Sequence, residues 1–278
     1  MNTTKNKIKT LVCYFLVCFH VALIVAPFLW LIYSSLKTNK EFIASVWALP
    51  KVLQFSNYVE AWGSGALGTY TLNSVIVTSI SVFITVLIAT LAGYAMGIFR
   101  HIKWMSKVQI ILVVMMTIPA HVSLIPLVET MRNIGLLDTR FGVVLAEVAF
   151  NIPMSVFILF SFFVTLPYDI IEAAKFDGAK ESVIFSKIAL PLAMPAMFTT
   201  AIINMIWNWN DFLFPLVFIN NPKLKTLPIG LKDYVGEHVT NFPVMMAAIF
   251  IASLGALIIY GIFQKQVIGG LMGGAVKE

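Results

Sequence analysis

Residues 166–196 read LPYDIIEAAKFDGAKESVIFSKIALPLAMPA, a charged, amphipathic island between two long apolar runs. The front half has the marks of a short helix. Pro167 suits the first helical position, Asp169 and Glu172 lie early where the helix dipole favours negative charge, and Gly178 is placed to be the left-handed residue after the end. A turn is expected at Asp177-Gly178. At 100° per residue Asp169, Glu172 and Lys175 share one side, facing a partner, while Ile170, Ala173 and Ala174 share the side that faces the chain itself. Helical spacing resumes from Ala179 to Lys187 and runs into Ile188-Ala189-Leu190-Pro191. There the proline restricts Leu190 and removes a backbone donor, so a bend is expected.

Outward from the island the chain is apolar. Of 278 residues, 59% are hydrophobic and 12% charged, with a mean hydropathy of +0.90; a soluble domain carries about 25% charged residues. An integral membrane protein follows. The net charge of +6 would point to a nucleic-acid partner in a soluble chain, but here the bases sit in short loops beside apolar runs, so the lipid bilayer is the expected partner and nucleic acid is not. Cys13 and Cys18 match neither a redox pair nor a metal half-site and read as lipid-facing or packing residues. Lys5, Lys7 and Lys9 precede an apolar run too long for a signal-peptide core and without a small-residue cleavage site, so the first span is expected to stay.

A helix needs about 20 apolar residues to cross a bilayer. Six runs meet that length: 11–33, 72–97, 108–127, 141–166, 188–218 and 242–263, with a loop at 167–187. The expected fold is all-α, a single transmembrane domain over 1–278 with six transmembrane helices and a helix-turn-helix between helices 4 and 5. Six spans put both termini on one side. Of the 19 Lys and Arg residues, 11 fall in segments on the side of the termini and 8 on the other, a bias sharpest around Arg100, Lys103 and Lys107 that places the termini and Glu172 in the cytoplasm.

Glu172-Ala173-Ala174, then Gly178, then Ile188-Ala189-Leu190-Pro191 after nine residues, resembles the E-A-A-x(3)-G-x(9)-I-x-L-P signature of permease subunits of ATP-binding-cassette importers. The resemblance implies that the island is the cytoplasmic coupling helix, docking on a separate ATPase. It assigns ATPase coupling to Glu172, Ala173, Ala174, Asp177, Gly178, Leu190 and Pro191. Two cytoplasmic ATPase subunits would carry ATP and Mg, and this chain would have no catalytic residue, metal or cofactor. The sequence agrees with that absence. Gly63 to Gly68 matches G-x-G-x-x-G letter for letter but follows no strand and reads as a flexible link, and Gly269 to Gly274 is followed by Ala275-Val276 instead of the Lys-Ser/Thr of a phosphate loop.

Within the spans, Gly93 and Gly97 have the small-xxx-small spacing that lets helices approach closely. Pro119 and Pro126 interrupt the third span near His121 and Ser123, which predicts a kink, with a helix broken beside a pathway as the alternative. Glu147 and Asn151 share a face of the fourth span at i, i+4, as candidates for a solute pathway or for an interhelical hydrogen bond. The fifth span ends in Trp207-Asn208-Trp209-Asn210-Asp211, with Asp211 about 35 Å from Ile188, near or beyond the far side of a ~30 Å core unless the helix tilts or bends. Aromatic planes beside amides and a carboxylate suit a sugar ring, stacking on its faces and pairing with its hydroxyls; an aromatic belt is the alternative. Trp207, Asn208, Asn210 and Asp211 therefore join the pathway candidates.

The run from Trp209 to Leu216, Thr226 to Leu231, Phe263 to Lys277, Asn57-Tyr58 and Asn73-Ser74 resemble the maltose-type carbohydrate branch of these permeases. That resemblance implies import of a sugar or oligosaccharide across the bacterial cytoplasmic membrane and a second, different permease chain. It also implies an extracytoplasmic solute-binding protein reached by the loop from Asn220 to Asn241, and a tail that reaches the ATPase pair. Another small polar solute, or a secondary transporter driven by an ion gradient, is the alternative. The latter calls for paired ionisable residues and internal repeats that the spans lack.

Overall fold

The computed structural model describes residues 2–63, 66–234 and 241–275, with side chains placed for 9–63, 66–234 and 241–264. Ser64 and Gly65 of the glycine link, 235–240 of the loop after span five and 276–278 of the tail lie outside the described residues. Every regular element among the described residues is helical. Five helices are long and apolar enough to cross a bilayer, at Lys9–Ser35, Leu67–Ile98, Arg140–Thr165, Glu181–Trp209 and Phe242–Gln264. The chain is an all-α membrane protein, with a bent helix pair where the third span was expected.

That pair is α5 (Lys103–Met116) and α6 (Ala120–Asn133), bent by 98° at the intervening residues. The break corrects the kink expected there. Pro119 disfavours helical backbone at Ile118 and itself sits at φ −67°, ψ 132° as the residue capping α6. Each half is 14 residues long, about 21 Å, short of a bilayer core. Pro126 lies inside α6 without ending it.

The chain divides into two compact units. The first comprises Met1–Gly68 with Gly230–Leu254. Here α1 (Asn2–Ser35), α2 (Asn39–Ala44) and the start of α13 (Phe242–Ala275) pack through Leu31, Phe42 and Met246, with the Phe42 and Phe242 rings stacked 5.1 Å apart. Most of α1, including Cys13 and Cys18, is exposed, as a lipid-facing helix is. Thr38 and Glu41 close a capping box on α2, and the Thr38 backbone N–H holds the Glu41 carboxyl below the usual carboxylate range. Lys37 is only 1% exposed. Its ammonium donates to the carbonyls of Ser45 and Val46 at 3.3 and 2.7 Å, and burial lowers its pKa.

The second unit comprises Thr69–Ile229 with Gly255–Glu278. Its framework is α4 (Leu67–Ile98), α7 (Arg140–Thr165) and α10 (Leu190–Trp209). Apolar burial drives no association in lipid, so close contact has to carry it. A Cβ on Gly93 would lie 2.9 Å from Leu159, and one on Gly97 2.6 Å from Phe163. The glycine pair is the close approach of α4 to α7 that the spacing predicted.

The fifth span starts earlier and ends sooner than 188–218. Helix begins at Glu181, passes through six π-helical residues, Ile184–Ala189, and continues as α10 to Trp209. The backbone stays helical through Pro191, with the widened π turns immediately before it. Beyond Trp209 the chain leaves the helix at Asn210 and resumes in α11 (Leu213–Phe218).

Candidate functional site

The island forms α8 (Tyr168–Phe176). Pro167, expected at the first helical position, lies one residue outside at φ −59°, ψ 117°. Asp169 lies in the first turn and Lys175 in the last, each complementing the helix dipole. The end closes as the sequence foretold. The N–H of Asp177 donates to Ala173, that of Gly178 to Lys175 and that of Ala179 to Ala174, each at 3.0 Å, around Gly178 at φ +77°.

The rotation of α8 differs from expectation. Ile171, 1% exposed, is the residue that enters the core, beside Phe163 and Ile184, with Ala174 half-buried against it. Ile170, Ala173 and Glu172 are exposed, and Phe176 is 90% exposed. Lys175 is turned from the outer face: its ammonium lies 3.7 Å from the Glu181 carboxylate and 5.7 Å from the centre of the Phe99 ring. The outer face is thus Asp169, Glu172, Ala173 and Phe176. Phe176 was missed by sequence reasoning; the signal was an aromatic set alone beside Asp177-Gly178. Leu190 and Pro191 lie in the first turn of α10, Leu190 half-buried and Pro191 exposed.

The second group of candidates separates by helix face. Asn151 of α7 donates to Asn208 of α10 at 2.7 Å, so these two come together in an interhelical bond. One turn away Asn204 donates to Ser155 at 2.9 Å. Glu147, 2% exposed, stands beside Ser81 of α4. Asp211 caps α11 with one oxygen, accepting from the backbone of Leu213 at 2.9 Å. Glu147 Oε2, Asp211 Oδ2, Asn204 Oδ1, Asn208 Nδ2, Thr78 Oγ1 and Thr85 Oγ1 are buried without a hydrogen-bond partner among the described residues. A seam of unsatisfied donors and acceptors can bind water or a hydroxylated solute.

The other members point elsewhere. Asn210 is exposed and bonds back to the Ile206 carbonyl. Trp207 is 47% exposed. Trp209 is buried against Gly255 of α13, where a Cβ would meet the indole at 2.0 Å. Adjacent residues on a helix project about 100° apart, so a run that is contiguous in sequence cannot line one surface.

On the loop side, Asn73 is fully buried. Its amide nitrogen donates to the carbonyls of Lys223 and Lys225 at 2.9 and 2.8 Å, and its oxygen accepts from Arg140 at 2.9 Å. Ser74 accepts from the N–H of Leu227 at 2.8 Å. Asp138 accepts from the N–H groups of Asn220 and Asn221 at 2.9 and 2.8 Å. These residues give the loop after α11 its path.

Residues 86–268 match the model of the family described as binding-protein-dependent transport system inner membrane component. The chain belongs to this family. It is 32% identical to the diacetylchitobiose uptake system permease protein of Streptomyces coelicolor, over 92% of this chain and 85% of that one. It is also 32% identical to the melibiose/raffinose/stachyose import permease protein of Bacillus subtilis, over 99% and 98%. The fold is that of a chain in the crystal structure of a bacterial ABC transporter involved in the import of the acidic polysaccharide alginate: TM-score 0.82, 24% identity, 94% of this chain and 97% of that one covered. As a member of the binding-protein-dependent transport family, the chain is a multi-pass inner membrane transport subunit and not a catalytic one.

Proposed function

We propose that the chain is the permease subunit of an ATP-driven importer, and that it forms part of the pathway of a sugar or oligosaccharide. It works with two cytoplasmic ATPase subunits that hold ATP and Mg, a second and different permease chain, and an extracytoplasmic solute-binding protein, with both termini cytoplasmic. One observation carries the reading. The α8 elbow is anchored by a single buried residue, Ile171, while Glu172, Ala173 and Phe176 stand uncovered on its outer face. A charged group, a small residue that permits close approach and an exposed aromatic are the parts of a protein docking surface. In the proposed cycle Glu172 makes a charge-assisted contact with a basic residue of the ATPase cleft and Phe176 fills an apolar pocket beside it. Closure of the ATPase pair then displaces the elbow, and the spans reorient between outward and inward openings.

Support for a sugar comes from the import permeases named above and from the polar seam of Glu147, Asn151, Asn208 and Asp211. Hydroxyl groups match its unsatisfied oxygens and amides.

The test is uptake of labelled oligosaccharide into vesicles holding the permease pair, the ATPase subunits and the binding protein. Phe176→Ser and Glu172→Ala are expected to lower ATP-driven uptake about tenfold or more, as loss of an interface anchor worth ~2 kcal/mol does. Wild-type uptake in both variants would remove the docking assignment. Labelling of Phe176→Cys from outside intact cells, with Cys13 and Cys18 replaced by Ser, would overturn the topology.

A further inference from the structure

The elbow has a weak point in its own hinge. Gly178, at φ +77° with nothing within 4 Å of where a Cβ would be, joins α8 to the helix that begins at Glu181. A lever that bends at its joint passes on no displacement. Besides the bond from the Ala179 N–H to the Ala174 carbonyl and the apolar packing of Ile171 and Ile184, one set of polar side-chain contacts spans this joint. Lys175, in the last turn of α8, pairs with Glu181 on the far side of the turn at 3.7 Å. The other oxygen of Glu181 accepts from the Tyr94 hydroxyl of α4 at 2.5 Å.

Tyr94 is 5% exposed. Its ring meets Phe163 of α7 edge-on at 5.5 Å and Phe185 of the π-helical segment at 4.9 Å. An exposed ion pair alone holds a geometry weakly. Here the carboxylate is also bound by a hydroxyl on a ring fixed in the core, and a charge-assisted hydrogen bond of that kind is stronger and more directional.

Resting on the coupling role proposed for α8, we propose that Tyr94, Glu181 and Lys175 form a latch across the Gly178 joint, and that Tyr94 and Glu181 are positioning residues for transport. The latch sets the angle of the elbow and ties it to α4 and α7, so that a push on the outer face of α8 moves the spans. Without it the elbow follows the ATPase while the spans lag.

Tyr94→Phe keeps both ring contacts and removes only the hydroxyl. Two measurements on the complete complex in vesicles separate the possibilities. One is the distance distribution between spin labels at Ile170→Cys, on α8 but off its docking face, and Leu91→Cys, both exposed sites, with Cys13 and Cys18 replaced. The other is the number of ATP molecules hydrolysed per solute imported. Tyr94→Phe and Glu181→Leu are expected to broaden the distribution and raise the ATP-to-solute ratio about fivefold or more, the size of an ordinary coupling between sites. Glu181→Gln, which still accepts from Tyr94, is expected to lie between these variants and the unsubstituted complex.

An unchanged distribution in Tyr94→Phe overturns the latch. A broadened distribution with an unchanged ratio overturns its role in transport, as does failure of Tyr94→Phe to assemble. Absence of ATP-dependent uptake in the unsubstituted complex overturns the coupling role of α8 itself, a failure that the label distances do not share.

Discussion

Gly97 of α4 and Phe163 of α7 approach so closely that a Cβ on the glycine would lie 2.6 Å from the phenylalanine Cβ. Side-chain Cβ atoms cannot move without the backbone, so any larger residue pushes the two helices apart. Gly97→Ala is expected to cost about 1–3 kcal/mol by overpacking, and Gly97→Val more. The midpoint of thermal unfolding in detergent checks this; an unchanged midpoint for Gly97→Val would show that α4 and α7 are not in contact there.

Gly178 poses the opposite problem. Nothing crowds the site, so substitution acts through the backbone alone, where a left-handed conformation costs other residues roughly 1–2 kcal/mol. Asn tolerates that region and Val does not. Gly178→Asn is expected to transport close to wild type, whereas Gly178→Val shifts the turn and lowers uptake. Equal uptake by the two would remove the argument from φ.

Trp209 gives a compensating pair. Truncation to Ala is expected to destabilise the protein by about 3–5 kcal/mol, because the indole fills the space against Gly255. Gly255→Val alone is expected to be disruptive, and Gly255→Val with Trp209→Ala to recover part of the loss, since the new side chain enters the vacated volume. A solute-stacking role predicts otherwise: Trp209→Ala would raise the KM for uptake and leave unfolding untouched.

Asp138 accepts two backbone N–H groups at the start of the loop after α11. Asp138→Ala leaves both donors without that partner, at about 1.5–3 kcal/mol for a bond to a charged group. Amide exchange at Asn220 and Asn221 is expected to accelerate, while exchange in α7 stays as it was. Asp138→Asn keeps an acceptor and is expected to retain most of the protection.

What the sequence by itself determined is the number and approximate extent of the apolar runs, the charged island between the fourth and fifth, its left-handed glycine and the close packing at Gly93 and Gly97. Each depends on a local rule: a length of apolar chain, a conformation only glycine takes readily, a spacing on one helix. Tertiary structure decided the rest. The sequence placed Ile170 and Ala173 inward, but a nine-residue helix turns to suit its best anchor, and Ile171 reaches the core beside Phe163 and Ile184. The residues around Pro119 turn the third span by 98°, whereas Pro126 and Pro191 are absorbed into helices, because whether a lost hydrogen bond breaks a helix depends on what surrounds it. The polar run at 207–211 divides for the same reason. Asn208 finds Asn151, Trp209 finds Gly255, and Trp207 and Asn210 face outward, a sorting set by neighbours that lie 50 residues or so away in the chain.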